Sequence, residues 1–565
     1  MILDARRLGE KNISCDICLV GAGVAGIALA TRLLGTGLKV ILLEAGGERY
    51  SEQEQRHFDG QVIDPTTQPR LDRYRIRQFG GTSTVWGGRC APFSSFDFGS
   101  RPESSLQAWP ITEAELLPHY SRAHSILDLG EYCYDAENCL PGSIVKALPG
   151  VNFEEIDDTS LWRFSLPTDL GKKYRRLLAS SGDVCVLLHA PCCELNTMGD
   201  GRTASTASVA LPGGDRLKVS ARAFVLTAGT LETARILLLS RNHQAAGLGN
   251  SGDQVGRCYM THLYGTVGGV RYRGDPRAVR YGFETSHDGV YVRHMFRLKD
   301  QAQARRGIMQ CCAVLASPPF GEPSHESGIL SAAFLAKGLI GRRIPVELLG
   351  PNQKVFGVTS LSLHLRNVVR DTPATATFAI DWLRRRILSK RKLPAVELFS
   401  RSGKYDLLYS AEQFPNPESR IQLSERRDEF GVNQLRSEWR VSERDVVSIA
   451  ETHKVFAAEF ARPENAICEF DADWENLTQN IQRQASVGSH HMGLARMSER
   501  PESGVVNRSC RVHNTTNVYV AGAATFPTSG CVSPTLTIAA IASYVADSLI
   551  ANYQVALPDC RMTHA

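Results

Sequence analysis

Two short segments near the carboxyl end hold side chains able to do chemistry. Residues 489–497 read SHHMGLARM, an imidazole pair followed by a glycine turn, and residues 526–542 read FPTSGCVSPTLTIAAIA. The second reads as a strand exit meeting a helix start, with Ser533 at the N-cap and Pro534 at the first helical position. A helix start presents unpaired N–H groups and about half a positive charge, which suits it to hold negative charge developing on a cofactor or substrate. A base and an anion-holding helix end, close together in the chain, are what hydride transfer from an alcohol requires.

The elements that would hold a cofactor lie at the other end of the chain. Residues 16–20 (DICLV) form a short apolar run, followed by Gly21-Ala-Gly23-Val-Ala-Gly26 and the helical stretch IALATRLLGTG. A second apolar run, residues 39–43 (KVILL), ends in Glu44. Strand, glycine turn, helix, strand and acid make up the βαβ dinucleotide fingerprint. Its glycines allow a tight turn, close approach of a pyrophosphate and packing of helix on strand, and the acid accepts hydrogen bonds from a ribose. Residues 77–92 (RQFGGTSTVWGGRCAP) then supply a second glycine-rich loop with Gly80, Gly81, Gly87 and Gly88. A nicotinamide site does not need that second loop. An extended flavin does, because the backbone must approach both the diphosphate and the isoalloxazine ring.

With these segments, the chain resembles the glucose–methanol–choline (GMC) oxidoreductase family, in the branch close to pyranose oxidase. The matching stretches are the N-terminal fingerprint, GGTSTVWGG, FVLTAGTLETARILLLS (224–240), VGRCYMTH (255–262), EQFPNPESRIQLS (412–424) and the two C-terminal segments, in the family's order along the chain. The resemblance implies an α/β chain: a Rossmann-like FAD-binding domain of the GMC/p-hydroxybenzoate-hydroxylase type, interleaved with an α+β substrate domain containing an antiparallel sheet. It implies FAD with its pyrophosphate over Gly21, Gly23 and Gly26 and its ribose on Glu44. The flavin ring would lie over the loop of Gly81, Thr82, Ser83, Val85, Gly87 and Gly88, and the adenine near the backbone of Cys192. Ala228, Gly229, Gly522, Ala523 and Pro534 join the expected cofactor shell, and Thr535 and Leu536 would offer amides to the flavin N1–O2 edge. His490 matches the family's catalytic histidine in HxxG, and its neighbour His491 is expected as a structural or supporting partner.

Two positions depart from the family pattern. Members that bind FAD covalently carry a histidine where this chain has Val85, so a non-covalent flavin is expected. The second catalytic position, usually Asn or His before Pro-Thr-Leu-Thr, is Ser533. A serine hydroxyl can hydrogen-bond a substrate oxygen but takes up no proton at neutral pH, and serine also caps helices. Both roles stay open, capping alone or capping with substrate contact.

Composition sets further limits. A chain of 565 residues is too long for one core, so two interleaved domains are expected. They are placed at 1–98, 182–265 and 478–565 for FAD, and at 99–181 and 266–477 for substrate. A net charge of +5 makes no case for nucleic acid. The fifteen cysteines show neither disulfide nor zinc spacing, and Cys15 and Cys18, three apart on a strand, would face opposite sides of a sheet. Reduced thiols point to a cytoplasmic location, and no metal site is expected. The amino terminus has no secretory apolar stretch, and no run of eighteen apolar residues suggests a membrane span. Residues 378–393 (FAIDWLRRRILSKRKL) are basic and amphipathic. They are read as a solvated helix face in preference to a peripheral membrane contact. Residues 420–441 read as a hairpin, in the region where the family places the antiparallel sheet roofing the active site. Residues 318–394 match no usable motif and are the expected seat of substrate choice and of any lid.

The mechanism expected from this reading is oxidation of a CH–OH group in a sugar, cyclitol or other secondary alcohol. His490 would take the hydroxyl proton while hydride passes to flavin N5, with O2 or another acceptor reoxidising the flavin. The alternative keeps the flavin but, because Ser533 replaces Asn or His, changes the chemistry to a dehydrogenation at carbon, an elimination or an isomerisation.

Overall fold

Residues 17–20 and 40–43 are uninterrupted apolar runs because both faces of their strands are covered, as a parallel sheet between helices demands. In the computed structural model the strand Asn12–Val20 lies between Val40–Leu43 and Arg216–Leu226, parallel to both. The structure describes residues 1–102, 106–142, 146–316, 321, 323, 326–335, 359–371, 377, 378, 380–395 and 402–553. The eight-stranded sheet runs Ile2–Asp4, Val184–Leu188, Val40–Leu43, Asn12–Val20, Arg216–Leu226, Ala204–Ala210, Cys192–Thr197, with Val518–Val520 also paired to Arg216–Leu226. Its strands therefore come from three stretches of sequence far apart in the chain. This is an α/β fold in which a Rossmann-like unit is interleaved with a second, α+β unit.

The first turn needs its glycines for space. Gly21 has φ +108°, and a Cβ there would lie 2.6 Å from the Ala228 Cα; one on Gly26 would lie 1.9 Å from the Gly21 carbonyl oxygen. Strand, helix Val24–Leu33 and the turn that follows the strand Arg216–Leu226 thus close on one another. The last helix, Thr535–Tyr553, packs on Val24–Leu33 and on Glu113–Leu127. Its mean hydropathy of 1.3 would suit a membrane span by length and composition, but 56% of that window is buried in the protein core, which accounts for its apolar content.

The second unit is built on a six-stranded sheet in the order Cys468–Ala472, Leu263–Tyr272, Lys404–Ala411, Cys311–Ala316, Phe296–Leu298, Ile156–Asp157, with every neighbouring pair antiparallel. The predicted hairpin forms, as Arg420–Arg427 against Asn433–Glu438. It does not belong to that six-stranded sheet, however. Its partner is Gly60–Val62, parallel to Asn433–Glu438. Gly60 permits this, since a Cβ there would sit 2.5 Å from the Leu435 carbonyl oxygen. Arg235, on the helix Thr230–Leu239, donates to the Asn433 carbonyl at 2.9 Å and pairs with Asp428 at 2.7 Å, fixing the hairpin to the first unit.

Of the segment 318–394, only part lies within the described residues. In its basic stretch, Ile380, Leu383, Ile387 and Leu388 are exposed, while Arg391 donates to the Asp128 carbonyl at 2.7 Å. The cysteines among the described residues, Cys15 and Cys18 included, are free thiols.

Candidate active site

Met260 and Met492 exchange backbone hydrogen bonds of 3.1 and 3.0 Å in an antiparallel bridge. Two residues on from one and two back from the other, His262 and His490 stand opposite each other on the same face. Their Nδ1 atoms are 2.8 Å apart. The glycine of HxxG makes this close pairing sterically allowed: Gly493 has φ +89°, and a Cβ would lie 2.5 Å from the Cys258 carbonyl oxygen. Thr230 Oγ1 donates to the His491 carbonyl at 2.6 Å and holds the strand from its other side.

The hydrogen-bond partners assign the protons. His262 Nε2 faces the Ser529 carbonyl oxygen at 3.0 Å, so it carries the hydrogen and donates. Neutral His262 is then an acceptor at Nδ1, and His490 must donate to it from its own Nδ1. That leaves the His490 Nε2 lone pair free, with no protein partner among the described residues. Tyr264 Oη stands 3.0 Å from the same His490 Nδ1 and accepts from Arg89 Nη2 at 3.2 Å. The Tyr264 hydroxyl bonds Ser410, whose Oγ donates to the Cys531 carbonyl at 2.8 Å. Burial holds His490 well below the ordinary imidazole range, helped by His262 and the Arg89 charge, and burial lowers His262 to about 4. Both rings are neutral at pH 7, with His490 in the tautomer a base needs.

His491 is not brought into this cluster. Successive side chains of an extended segment alternate, and His491 Nδ1 meets the Tyr259 hydroxyl at 2.6 Å. Its Nε2 is buried with no hydrogen-bond partner among the described residues, and burial lowers its pKa to about 3.

Ser533 does not cap the last helix. The helix begins two residues later, at Thr535, its first turn closed by the Ile538 amide on the Pro534 carbonyl at 2.8 Å. The Ser533 Oγ instead accepts from Arg89 Nε at 3.0 Å. Ser533, Arg89, Tyr264 and His490 are thereby linked bond by bond. Arg89, His262 and Tyr264 are the members that motif reading missed. Two of them had a local signal: Arg89 follows GGTSTVWGG directly, and His262 ends VGRCYMTH. Tyr264 had none, since it lies on the strand Leu263–Tyr272 of the other unit.

The residues present fit an extended FAD. The two glycine loops lie against each other, with the Gly80 amide on the Ala22 carbonyl at 2.9 Å and a Cβ on Gly81 only 3.0 Å from the Gly23 Cα. Gly23 starts its helix with no side-chain cap, and a Cβ on Gly23 or on Gly87 would meet nothing within 4 Å, so these backbone edges are open. Val85 is 65% exposed and offers no nucleophile. Ser83 is spent on the loop itself, donating to the Gly80 carbonyl at 2.6 Å, while Thr82 is exposed. Buried Glu44 accepts from the Ala22 and Gly46 amides at 3.0 and 2.8 Å, which orders the turn beside it. Next to it opens a cleft of about 700 Å³ lined by Ala45, Gly47, Glu48, Arg77, His189 and Pro191. Arg77 is 4% exposed, and its Nε has no partner among the described residues, a cationic donor suited to a diphosphate. Cys192 lies just past this lining, where its strand pairs with Val209. Gly229 and Gly522, at φ +78° and +132°, occupy the turns at the ends of the two further strands of this sheet, with Ala228 and Ala523 beside them. The amides of Thr535 and Leu536 lie in the first turn of the last helix.

Residues 415–542, which include His490 and Ser533, match the family model described as GMC oxidoreductase. The chain is 21% identical to a 2-methyl-1,2-propanediol dehydrogenase of Mycolicibacterium austroafricanum, over 94% of each chain. It is 20% identical to the fructose dehydrogenase large subunit of Gluconobacter japonicus, over 96% of this chain and 99% of that one. Among solved structures, pyridoxine 4-oxidase from Mesorbium loti superposes with a TM-score of 0.53 at 14% identity, covering 94% of this chain and 99% of that one. A fungal aryl-alcohol oxidase gives 0.52 at 13% identity, covering 96% and 99%. Those two likenesses are ones of fold.

Proposed function

We propose that this chain is a GMC oxidoreductase, an enzyme acting on CH–OH donors, and that it oxidises a small-molecule alcohol with a non-covalently bound FAD and His490 as the general base. The observation that carries this reading is the proton assignment around His490: Nδ1–H committed to His262, Nε2 left free as an acceptor, and a ring that stays neutral at pH 7. When bound, FAD supplies the two-electron acceptor for the hydrogen that leaves the carbinol carbon. The protein's part is the proton. His490 Nε2 takes it from the substrate hydroxyl as the carbonyl forms, and the positive ring that results is stabilised through Nδ1–H by His262 and Tyr264. Ser533 Oγ, already accepting from Arg89, keeps its own hydrogen to donate to the same substrate oxygen. Val85, in the position used for the covalent link in other members, supports a flavin released on denaturation. Relatives named for a diol and for fructose support a polyol or sugar-like donor.

The test is anaerobic mixing of the FAD-loaded protein with sugars, polyols and aryl alcohols, followed by bleaching of the flavin. Replacing His490 by alanine is expected to slow that bleaching by about a hundred- to ten-thousand-fold. Bleaching at the parent rate would remove His490 from the reaction. Bleaching by non-alcohols alone would favour dehydrogenation at carbon.

A further inference from the structure

Among the described residues, four buried or nearly buried arginines meet a carboxylate, Arg75 with Glu232, Arg101 with Glu412, Arg163 with Asp288 and Arg235 with Asp428, while Arg77 faces the cofactor cleft. Arg89, half-buried beside the base, meets no carboxylate among them. Among the described residues its hydrogen-bond partners are two neutral hydroxyls, Ser533 through Nε and Tyr264 through Nη2. Its guanidinium carbon lies 4.3 Å from the centroid of the Trp162 ring, so stacking fixes the plane of the group without neutralising it. Of its five N–H donors, three remain unused, all of Nη1 and one on Nη2. The backbone around it is firm, since the strand Arg89–Cys90 is paired to Leu161–Phe164, which also carries Trp162. A cation taken partly out of water and left without a counter-charge is costly unless a ligand brings the charge.

We propose that the substrate carries a carboxylate, and that Arg89 is the residue that binds and orients it against His490. A planar two-oxygen anion matches the unused edge of a stacked guanidinium, and the bond from Arg89 to Ser533 ties that anchor to the hydroxyl beside the reacting carbon. The donor class is then an alcohol that also carries a carboxylate, such as a hydroxy acid or a sugar acid. This builds on the alcohol-oxidation reading above but is tested by binding as well as by turnover.

The experiment titrates the FAD-loaded protein with benzoate and with benzamide, following perturbation of the visible flavin band. It also compares flavin reduction by mandelate and by mandelamide. Benzoate is expected to bind at least about 10-fold more tightly than benzamide, and mandelate to reduce the flavin faster at low concentration. Arg89→Gln is expected to weaken benzoate binding by about 10- to 150-fold, the range of a hydrogen bond to a charged group. It should weaken benzamide binding far less than benzoate binding, and Arg89→Lys should recover part of the loss. Equal binding of benzoate and benzamide by the parent protein overturns the proposal without any variant. Tight benzoate binding that survives Arg89→Gln, with FAD retained, overturns it as well. If neutral alcohols reduce the flavin and carboxylates neither bind nor react, alcohol oxidation stands and the carboxylate anchor falls. If benzoate binding depends on Arg89 while no alcohol reduces the flavin, the reverse holds.

Discussion

His262 offers a sharp test of how the base is set. Replacing it by phenylalanine removes the acceptor 2.8 Å from His490 Nδ1 and leaves only Tyr264 Oη, at 3.0 Å. In the resting enzyme the lost bond joins two neutral rings and contributes about 0.5–1.5 kcal/mol; once His490 holds the substrate proton the bond is charge-assisted, about 1.5–3 kcal/mol. The difference, about 1–1.5 kcal/mol, acts only on the transition state and corresponds to about a 5- to 13-fold fall in the rate of flavin reduction. Loss of the fixed tautomer adds to it, so the expected fall is about 10- to 100-fold. His262→Gln should recover most of the rate, because its Oε1 can accept from His490 while its amide donates to the Ser529 carbonyl. Anaerobic stopped-flow measurement of the FAD-loaded variants reads the rate. A His262→Phe protein reduced at the parent rate would show that the imidazole pair does not set the base.

Two further outcomes follow from the same coordinates. Gly26→Ala, which puts a Cβ 1.9 Å from the Gly21 carbonyl oxygen, should push the first helix off its strand and abolish FAD loading; yellow protein at parent stoichiometry would contradict the packing described. His453 is fully buried and held near 4 by desolvation, so the folded chain binds fewer protons than the unfolded one between about 4 and the ordinary value of 6.5. Its contribution is intact above pH 6.5 and lost as pH falls toward 4, about 2 kcal/mol by pH 5. His453→Phe should therefore lose less melting temperature than the parent between pH 7 and pH 5, and equal losses would refute the linkage.

The cofactor half of the protein was legible because its signals are local. Glycine spacing, an apolar strand, a helix and an acid fall within residues 16–44, and each constrains the next through backbone geometry alone. His490 and Gly493 were legible for a similar reason, a turn that only glycine fits. The rest of the site was hidden because it is made by pairing across the chain. Arg89 stands on a two-residue strand, His262 faces His490 through a single bridge, and Tyr264 comes from the other sheet. None of those meetings has a period or a spacing to read. The hairpin's neighbour was hidden on the same grounds: alternation in residues 420–438 announces a hairpin but not its parallel partner Gly60–Val62. Serine before Pro-Thr-Leu-Thr suited a cap by composition, yet its hydroxyl answers to an arginine far away in sequence.

Both ends of the hydrogen-bonded chain around the base rest on one short piece of backbone. His262 stops at the carbonyl of Ser529, the Tyr264–Ser410 arm stops at that of Cys531, and Ser533 follows two residues on. Gly530, between them, has φ +56° and no room for a Cβ, with Asp97 Oδ1 at 2.8 Å. A shift of this pentapeptide would detune proton acceptor and substrate hydroxyl together, so evolution cannot adjust one without the other here.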